Sequence, residues 1–122
     1  MEGFLTKDAI LASHDLPYED AEVPEWGGKV RVRVLTGAEL DKYHGSLFTV
    51  KGKDVVQDRE NFRTKLLVKC LIDDKGNRLF NDKELEDLAG KSGAVLQRLY
   101  EIASRLNGMT AEEAEVLEKN SA

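Results

Sequence analysis

The sequence lacks, or nearly lacks, several features that characterise whole classes of protein. It holds a single cysteine, Cys70, so no disulfide can form within the chain and a reducing compartment is its natural setting. Its longest unbroken apolar run covers residues 9–12, far too short to cross a membrane. Residues 1–4 carry no basic stretch followed by an apolar one, so we expect no secretory signal.

The sequence also has fewer basic residues than acidic ones. There are 18 of them against 23 acidic residues, and the formal net charge is -5. A dedicated nucleic-acid-binding protein needs cations to neutralise phosphates, so this balance argues against a nucleic-acid partner.

What the chain does contain fits one small domain. Its 122 residues are 41% hydrophobic and 34% charged, with only 2 prolines, which is enough to build a modest core. We therefore expect a single domain over residues 1–122. The chain is too short for a barrel enzyme, or for a dinucleotide-binding fold with a substrate domain.

The clearest strand signal lies between residues 18 and 35. Residues 29–34 alternate polar and β-branched side chains, the pattern of a half-buried strand. Gly27 and Gly28 supply the backbone freedom of a tight turn, and Pro24 places the first strand at a sheet edge or ends it there. The pattern predicts an antiparallel hairpin over residues 18–35, with its valines facing a core that helices cover.

Most of the remaining chain has helical patterns. Residues with N-capping chemistry precede each of them: Thr6, Thr36, Asp58, Asn81, Ser92 and Thr110. The helix after Thr36 should carry Leu40, Tyr43, Leu47 and Phe48. The strongest apolar stripe consists of Phe62, Leu66, Leu67, Cys70 and Leu71.

These patterns predict an α+β fold that is mainly helical, with about four to six helices and the one N-terminal hairpin. Residues 51–57 should form an exposed loop. The helix after Ser92 has a wide apolar arc and should be central, and Asn107 with Gly108 should end it. Residues 110–122 should form a C-terminal helix that is solvated or reserved for a partner, because its apolar content is weak.

The sequence offers no metal or cofactor site. His14 and His44 stand far apart, Cys70 falls on an apolar stripe as a small core residue would, and zinc needs three or four converging ligands. Residues 73–84 have the length of a calcium loop, ending at Glu84. However, Lys75 stands where a carboxylate should be and Arg78 where a glycine should be, so we expect an ordinary turn in which Glu84 serves its own helix start.

No catalytic centre is indicated either. The side chains of Ser13, His14 and Asp15 are contiguous in sequence and therefore do not converge as a triad would. No phosphate-cradling loop or nucleotide fingerprint is present. We do not expect an enzyme.

The hairpin carries charges of both signs on its two strands. Cross-strand ion pairs on a solvated face would satisfy them at a small gain in stability. The residues concerned are Lys29, Arg31 and Arg33 on one strand, and Glu19, Asp20, Glu22 and Glu25 on or beside the other.

The candidate partner-binding residues are Tyr18, Val23 and Trp26 of the hairpin, together with Ala114 and Leu117 of the last predicted helix. Trp26 either folds back on the core or stands out as an anchor, since tryptophan often dominates interfaces.

Four stretches together resemble a known family. They are PYEDAEVPEWGGKVRVR at residues 17–33, LTGAE at 35–39, KCLIDDKGNRLF at 69–80 and LNGM at 106–109. This pattern is similar to the tail assembly chaperones of long-tailed bacteriophages and related prophages, from about Thr6 to Asn120.

The resemblance implies a non-enzymatic role in the host cytoplasm. Such proteins are thought to coat the tape measure protein while the tail tube polymerises around it, and to be absent from the finished virion. It also implies self-association into rings or spirals, since a long partner is coated by head-to-tail contacts that do not close.

The resemblance further implies a longer product made by programmed frameshifting, whose extension would recruit tail tube subunits. This sequence would then be the short form. The residues Glu118, Lys119 and Asn120 are compatible with an A-AAA-AAC slippery heptamer in the gene. The alternative interpretation is a small cytosolic adaptor or regulatory protein unrelated to tails.

Overall fold

The computed structural model describes residues 3–109 and has an α+β architecture, as predicted. Its elements, in chain order, are α1 (Lys7–Ala12), β1 (Tyr18–Val23), β2 (Gly28–Arg33), α2 (Gly37–Gly45), β3 (Phe48–Lys51), β4 (Asp54–Gln57), α3 (Phe62–Cys70), β5 (Leu71–Ile72), α4 (Leu85–Ala89) and α5 (Gly93–Leu106). The five helices of this part of the chain fall within the predicted number, although helices do not dominate it. The predicted helix over residues 110–122 lies outside the described residues.

The predicted hairpin is present as β1 and β2, which pair antiparallel with Asp20 opposite Arg31. Its turn consists of a short 3₁₀ segment, Pro24–Trp26, and Gly27, whose φ of 80° requires glycine's freedom. Pro24 was predicted to place β1 at a sheet edge or to end it. Both hold, since the strand order is β1-β2-β5 and β1 ends at Val23.

The third strand of this sheet was not predicted. The apolar stripe indicated that the helix runs through Leu71, but α3 ends at Cys70 and Leu71 continues as β5. β5 pairs antiparallel with β2, with Leu71 opposite Val32. A buried apolar residue suits either element, so the stripe alone did not distinguish them.

A second hairpin replaces the loop predicted for residues 51–57. β3 and β4 pair antiparallel and form a two-stranded ribbon, with Val50 directly opposite Val55. α2 therefore ends at Gly45, and Phe48 lies on β3 and not on a helix as predicted. The ribbon's turn contains Gly52 at a φ of 63°, the conformation that a two-residue hairpin loop favours at its first position.

The start of α3 also differs from the prediction. Asp58 does not cap the helix: its carboxylate accepts a hydrogen bond from the backbone amide of Glu60, at 3.0 Å, and so holds the preceding turn. The N-cap is Asn61, a non-glycine residue in the left-handed region with a φ of 55°. Asparagine tolerates this conformation better than most residues.

The other caps within the described range are confirmed. The hydroxyls of Thr6, Thr36 and Ser92 each accept an amide hydrogen bond from the third residue of the helix that follows. Asn81 forms a capping box with Glu84, although the first turn it opens is a 3₁₀ segment, Asp82–Glu84, that leads into α4.

The core lies between the three-stranded sheet and the helices α3 and α5. The sheet contributes Ala21, Val23 and Val32, all buried. α5 is central as predicted, and its Tyr100 ring meets the Phe62 ring of α3 edge to face at 5.4 Å between centroids.

Polar side chains close the ends of this core. Asn107, just after α5, accepts a hydrogen bond from the backbone amide of Leu35 at 2.7 Å and donates one to the carbonyl of Ala103 at 2.9 Å. Gly108, with a φ of 74°, completes the predicted helix stop. At the end of α3, Arg33 and Arg78 donate to two of its last carbonyls, each at 2.9 Å. These contacts satisfy groups that a helix end leaves unpaired.

Candidate functional site

Several carboxylates and hydroxyls in residues 3–109 bond to the nearby backbone, among them those of Ser13, Asp73 and Glu84. Within that range, no three metal-ligating side chains come together. The Ser13 hydroxyl donates to the Ile10 carbonyl at 2.7 Å and thereby closes the end of α1. Across the same described residues, no helix combines the length and the apolar character that a bilayer crossing requires.

The segment 73–84 begins with a tight turn over residues 73–77 and ends with the 3₁₀ segment that leads into α4. The Asp73 carboxylate accepts hydrogen bonds from the backbone amides of Lys75 and Asn77, at 2.8 and 2.9 Å. These bonds hold the pKa of the Asp73 carboxyl below its ordinary value. Glu84 accepts from the amide of Asn81 at 2.9 Å, so the prediction that it serves its own helix start is confirmed.

Cys70 is a core residue, as predicted. Its side chain is fully buried, and burial raises the pKa of the thiol to about 12. A thiol in that state is not a nucleophile at neutral pH.

The outer face of the first hairpin carries one of the predicted cross-strand ion pairs. Arg31 donates to both carboxylate oxygens of Asp20, at 2.8 and 3.2 Å, and its guanidinium lies 3.8 Å from the centre of the Tyr18 ring. Arg33 differs from the prediction, because its ion pair is with Glu39 of α2 at 2.7 Å. That side chain joins the sheet to α2 and also reaches the end of α3.

Two further acidic residues of the hairpin reach across to α5. Glu25 pairs with Arg98 through two hydrogen bonds of 2.6 and 3.0 Å, and Glu19 pairs with Arg105 at 3.0 Å. Between these pairs lies an open groove of about 390 Å³, with Ala21 on its floor. The two pairs tie the first hairpin to α5.

The ribbon formed by β3 and β4 has an uncovered apolar face. Phe48, Val50 and Val55 lie on the same side of the two strands and are 51%, 74% and 68% exposed. The backbone amide of Asp58 donates to the Leu47 carbonyl at 2.6 Å and closes the base of the ribbon. The ribbon otherwise packs mainly on itself. Exposed apolar side chains grouped in this way are typical of protein-interaction surfaces.

The N-terminal segment, residues 3–16, is a second uncovered surface. Its helix α1 has no buried side chain, and Ile10 and Leu11 are 54% and 75% exposed. Phe4 is fully exposed and Leu5 largely so. This segment contributes nothing to the core in the isolated chain.

Comparison with known proteins identifies the family of this chain. The family model for phage tail assembly chaperones matches residues 6–118, almost the whole chain. The chain belongs to this family. No curated protein matches it. The solved structure of the tail assembly chaperone of bacteriophage HK97 has the same fold, with a TM-score of 0.57 and 23% identity over 75% of this chain and 85% of that one.

Membership of the tail assembly chaperone family confirms the resemblance seen in the sequence. Because the family consists of chaperones, we expect the functional surface of this chain to be one that contacts other proteins. Among the predicted contact residues, Tyr18 is about half exposed but stacks against Arg31. Trp26 is partly buried and packs against the core, the first of the two alternatives considered for it.

Val23 is fully buried between the sheet and the helices, so it is inaccessible to a partner in this fold. Its alternation with exposed neighbours on β1 already placed it on the core side of the strand. Ala114 and Leu117 lie outside the described residues.

The sequence reasoning missed the ribbon face, although a signal for it was present. Residues 48–51 alternate apolar and polar side chains, and Gly52 and a pair of valines follow them, which is compatible with a short hairpin. The helical spacing of Leu40, Tyr43 and Leu47 extended one position too far and included Phe48.

Proposed function

We propose that this member of the tail assembly chaperone family coats the tape measure protein while the tail tube forms around it. The family match over residues 6–118 is the observation that carries the proposal. The two uncovered apolar surfaces support it, because a protein that holds another chain needs accessible apolar contacts. The role is non-enzymatic and is performed in the cytoplasm of the bacterial host.

The proposal includes self-association into rings or spirals. A tape measure is long, so one small domain can cover it only as many copies in a row. Copies that meet through two different surfaces form an open array when the contact does not close.

Co-expression with the tape measure protein encoded nearby tests the central claim. The tagged chain should retain the tape measure protein through size-exclusion chromatography and increase its soluble yield. A long coiled-coil protein of similar size, expressed in the same way, is the control and should not be retained. A tape measure protein that elutes free of the tagged chain, at the same expression level, would overturn the proposal.

Two finer parts of the proposal have their own tests. Mass spectrometry of purified virions should detect the tape measure and tube proteins and not this chain; its presence there at structural copy number would contradict a transient role. The codons for Glu118, Lys119 and Asn120 should read as a slippery heptamer, from which a longer product that recruits tube subunits would arise. Synonymous codons that interrupt the heptamer would remove that site.

A further inference from the structure

The end of α5 contains the one asparagine of the sequence that is followed by a glycine, Asn107 before Gly108. Asparagine is a thermolabile residue. It is most labile before glycine, because no side chain then hinders attack of the next backbone nitrogen on the asparagine amide. The other asparagines precede larger residues, so this dipeptide is the most reactive deamidation site of the chain.

The fold requires both residues of this labile pair. Gly108 has a φ of 74°, in the left-handed region that favours glycine after a helix end. Asn107 acts as acceptor and donor at once: its side-chain oxygen accepts from the amide of Leu35 at 2.7 Å, and its side-chain nitrogen donates to the carbonyl of Ala103 at 2.9 Å. Only an amide side chain can make both bonds.

The same contacts occupy both reacting groups. The electrophile is Cγ of Asn107, whose oxygen and nitrogen are held by Leu35 and Ala103. The nucleophile is the backbone nitrogen of Gly108, whose N–H donates to the carbonyl of Arg105 at 3.2 Å. Neither group is available while the end of α5 is closed.

The backbone conformation also opposes the reaction. Asn107 has a ψ of 14°, which places the nitrogen of Gly108 on the side of the amide nitrogen of Asn107 and away from its Cβ. Closing a ring between that nitrogen and Cγ requires a large rotation about the bond from Cα to the carbonyl carbon. The rotation carries Gly108 away from Arg105, so the end of α5 must open locally before the reaction can occur.

We propose that Asn107 is a deamidation site that the fold keeps closed and that local opening of the end of α5 exposes. In the opened state the nitrogen of Gly108 attacks Cγ of Asn107, and the bond between Cγ and Nδ2 breaks. The leaving nitrogen takes up the proton of the Gly108 amide and departs as ammonia. Water then opens the cyclic succinimide at either carbonyl, giving aspartate or isoaspartate, so that one water is consumed for each ammonia released.

Neither product restores the closed end. The carboxylate of an aspartate can still accept from Leu35, but it has no proton for the carbonyls of Ala103 and Arg33, which lie 2.9 and 3.4 Å from the nitrogen it replaces. Isoaspartate adds a methylene carbon to the backbone itself and displaces Gly108 from the helix end. Each opening that reacts therefore weakens the contact between α5 and β2 permanently.

Peptide mass spectrometry of the full chain tests the proposal, since it separates Asn107 from its aspartyl and isoaspartyl products. The chain is incubated in mildly alkaline buffer, with and without urea above the unfolding transition. Deamidation of Asn107 should be slower in the native protein by more than about tenfold, which corresponds to about 1.4 kcal/mol of opening free energy. Asn77, exposed but followed by an arginine, is the internal control and should react slowly in both conditions.

A pair of matched variants tests whether the end of α5 is the part that opens. Leu106→Ala removes packing of this end against the core, whereas Leu11→Ala makes the same change in α1, which has no buried side chain. Native deamidation of Asn107 should become about tenfold faster in the first variant and stay unchanged in the second. In urea both should match the wild type. If circular dichroism shows that Leu106→Ala is unfolded, Leu106→Val takes its place.

Equal rates in native and unfolded wild type would overturn the proposed protection, and so would a native rate that the folded Leu106 variant leaves unchanged. A deamidated chain with the urea midpoint of the unmodified one would contradict the effect on the fold. None of these measurements involves the tape measure protein, so this inference and the proposed function fail separately.

Discussion

Individual polar side chains connect distant parts of this small domain. Asn107 bonds to Leu35, 72 positions away, and Arg98 and Arg105 tie α5 to the first hairpin. Local signals could predict caps such as Thr36 and the buried position of Cys70. They could not predict the Asn107 contact, because that bond depends on how β2 and α5 meet.

Replacement of Asn107 by alanine should lower the free energy of unfolding by about 1–3 kcal/mol, because the amide of the buried residue Leu35 would lose its acceptor. Urea denaturation measures the change. Asn77→Ala, in an exposed turn, is the matched control and should cost clearly less. Equal losses in the two variants would contradict the structural role of Asn107.

The Glu25–Arg98 pair should make stability depend on pH in the acid range. The hydrogen bonds from Arg98 lower the pKa of the Glu25 carboxyl from 4.5 to about 2. Because the folded-state pKa is the lower one, the contribution is complete above pH 4.5 and is lost as the pH falls towards 2.

The difference in urea midpoint between wild type and Glu25→Gln should therefore shrink as the pH is lowered through this window. Glu22→Gln removes the same charge from the neighbouring surface and controls for the change in net charge. A difference that stays constant down to pH 2 would show that the ion pair does not stabilise the fold.

At the scale of whole elements, α1 and α2 begin alike but differ in what they bury. Thr6 and Thr36 both accept an amide hydrogen bond at a helix start, while α1 has no buried side chain and α2 buries Tyr43. Capping chemistry predicted both starts. It carried no information about which helix joins the core, since that depends on tertiary contacts.

Thr36→Ala should lower the free energy of unfolding by about 1 kcal/mol, because α2 is part of the cooperative fold. Thr6→Ala removes the same hydrogen bond from a helix outside it and should leave the global value unchanged. Thermal or urea denaturation of the two variants, at concentrations where the chain is monomeric, makes the comparison. The reverse order would mean that α1 belongs to the core.

The sequence predicted β1 and β2 but not β5, and the difference has a physical reason. β1 and β2 have clear alternation and a glycine turn, so the sequence indicated them. β5 has two residues, Leu71 and Ile72, and exists because β2 offers it an edge to pair with. A strand that short has no pattern of its own.

For the molecule as a whole, residues 3–16 and the rest of the domain should behave as separate units. Deletion of residues 1–16 should leave the urea midpoint unchanged, because residues 3–16 bury no side chain in the isolated chain. Trypsin should cut first after Lys7, and the truncated product should keep the urea midpoint of the full chain. A lower midpoint would show that this segment stabilises the domain.

The free edge of β1 matters when many molecules are concentrated together. Glu19, Asp20 and Glu22 lie along this edge strand, which places charged side chains beside its unpaired backbone groups. Charged side chains on an edge strand hinder its pairing with the edge of another sheet, so sheets from different molecules are kept from merging into continuous, amyloid-like ladders. We therefore expect concentrated solutions of this chain to stay free of such ladders.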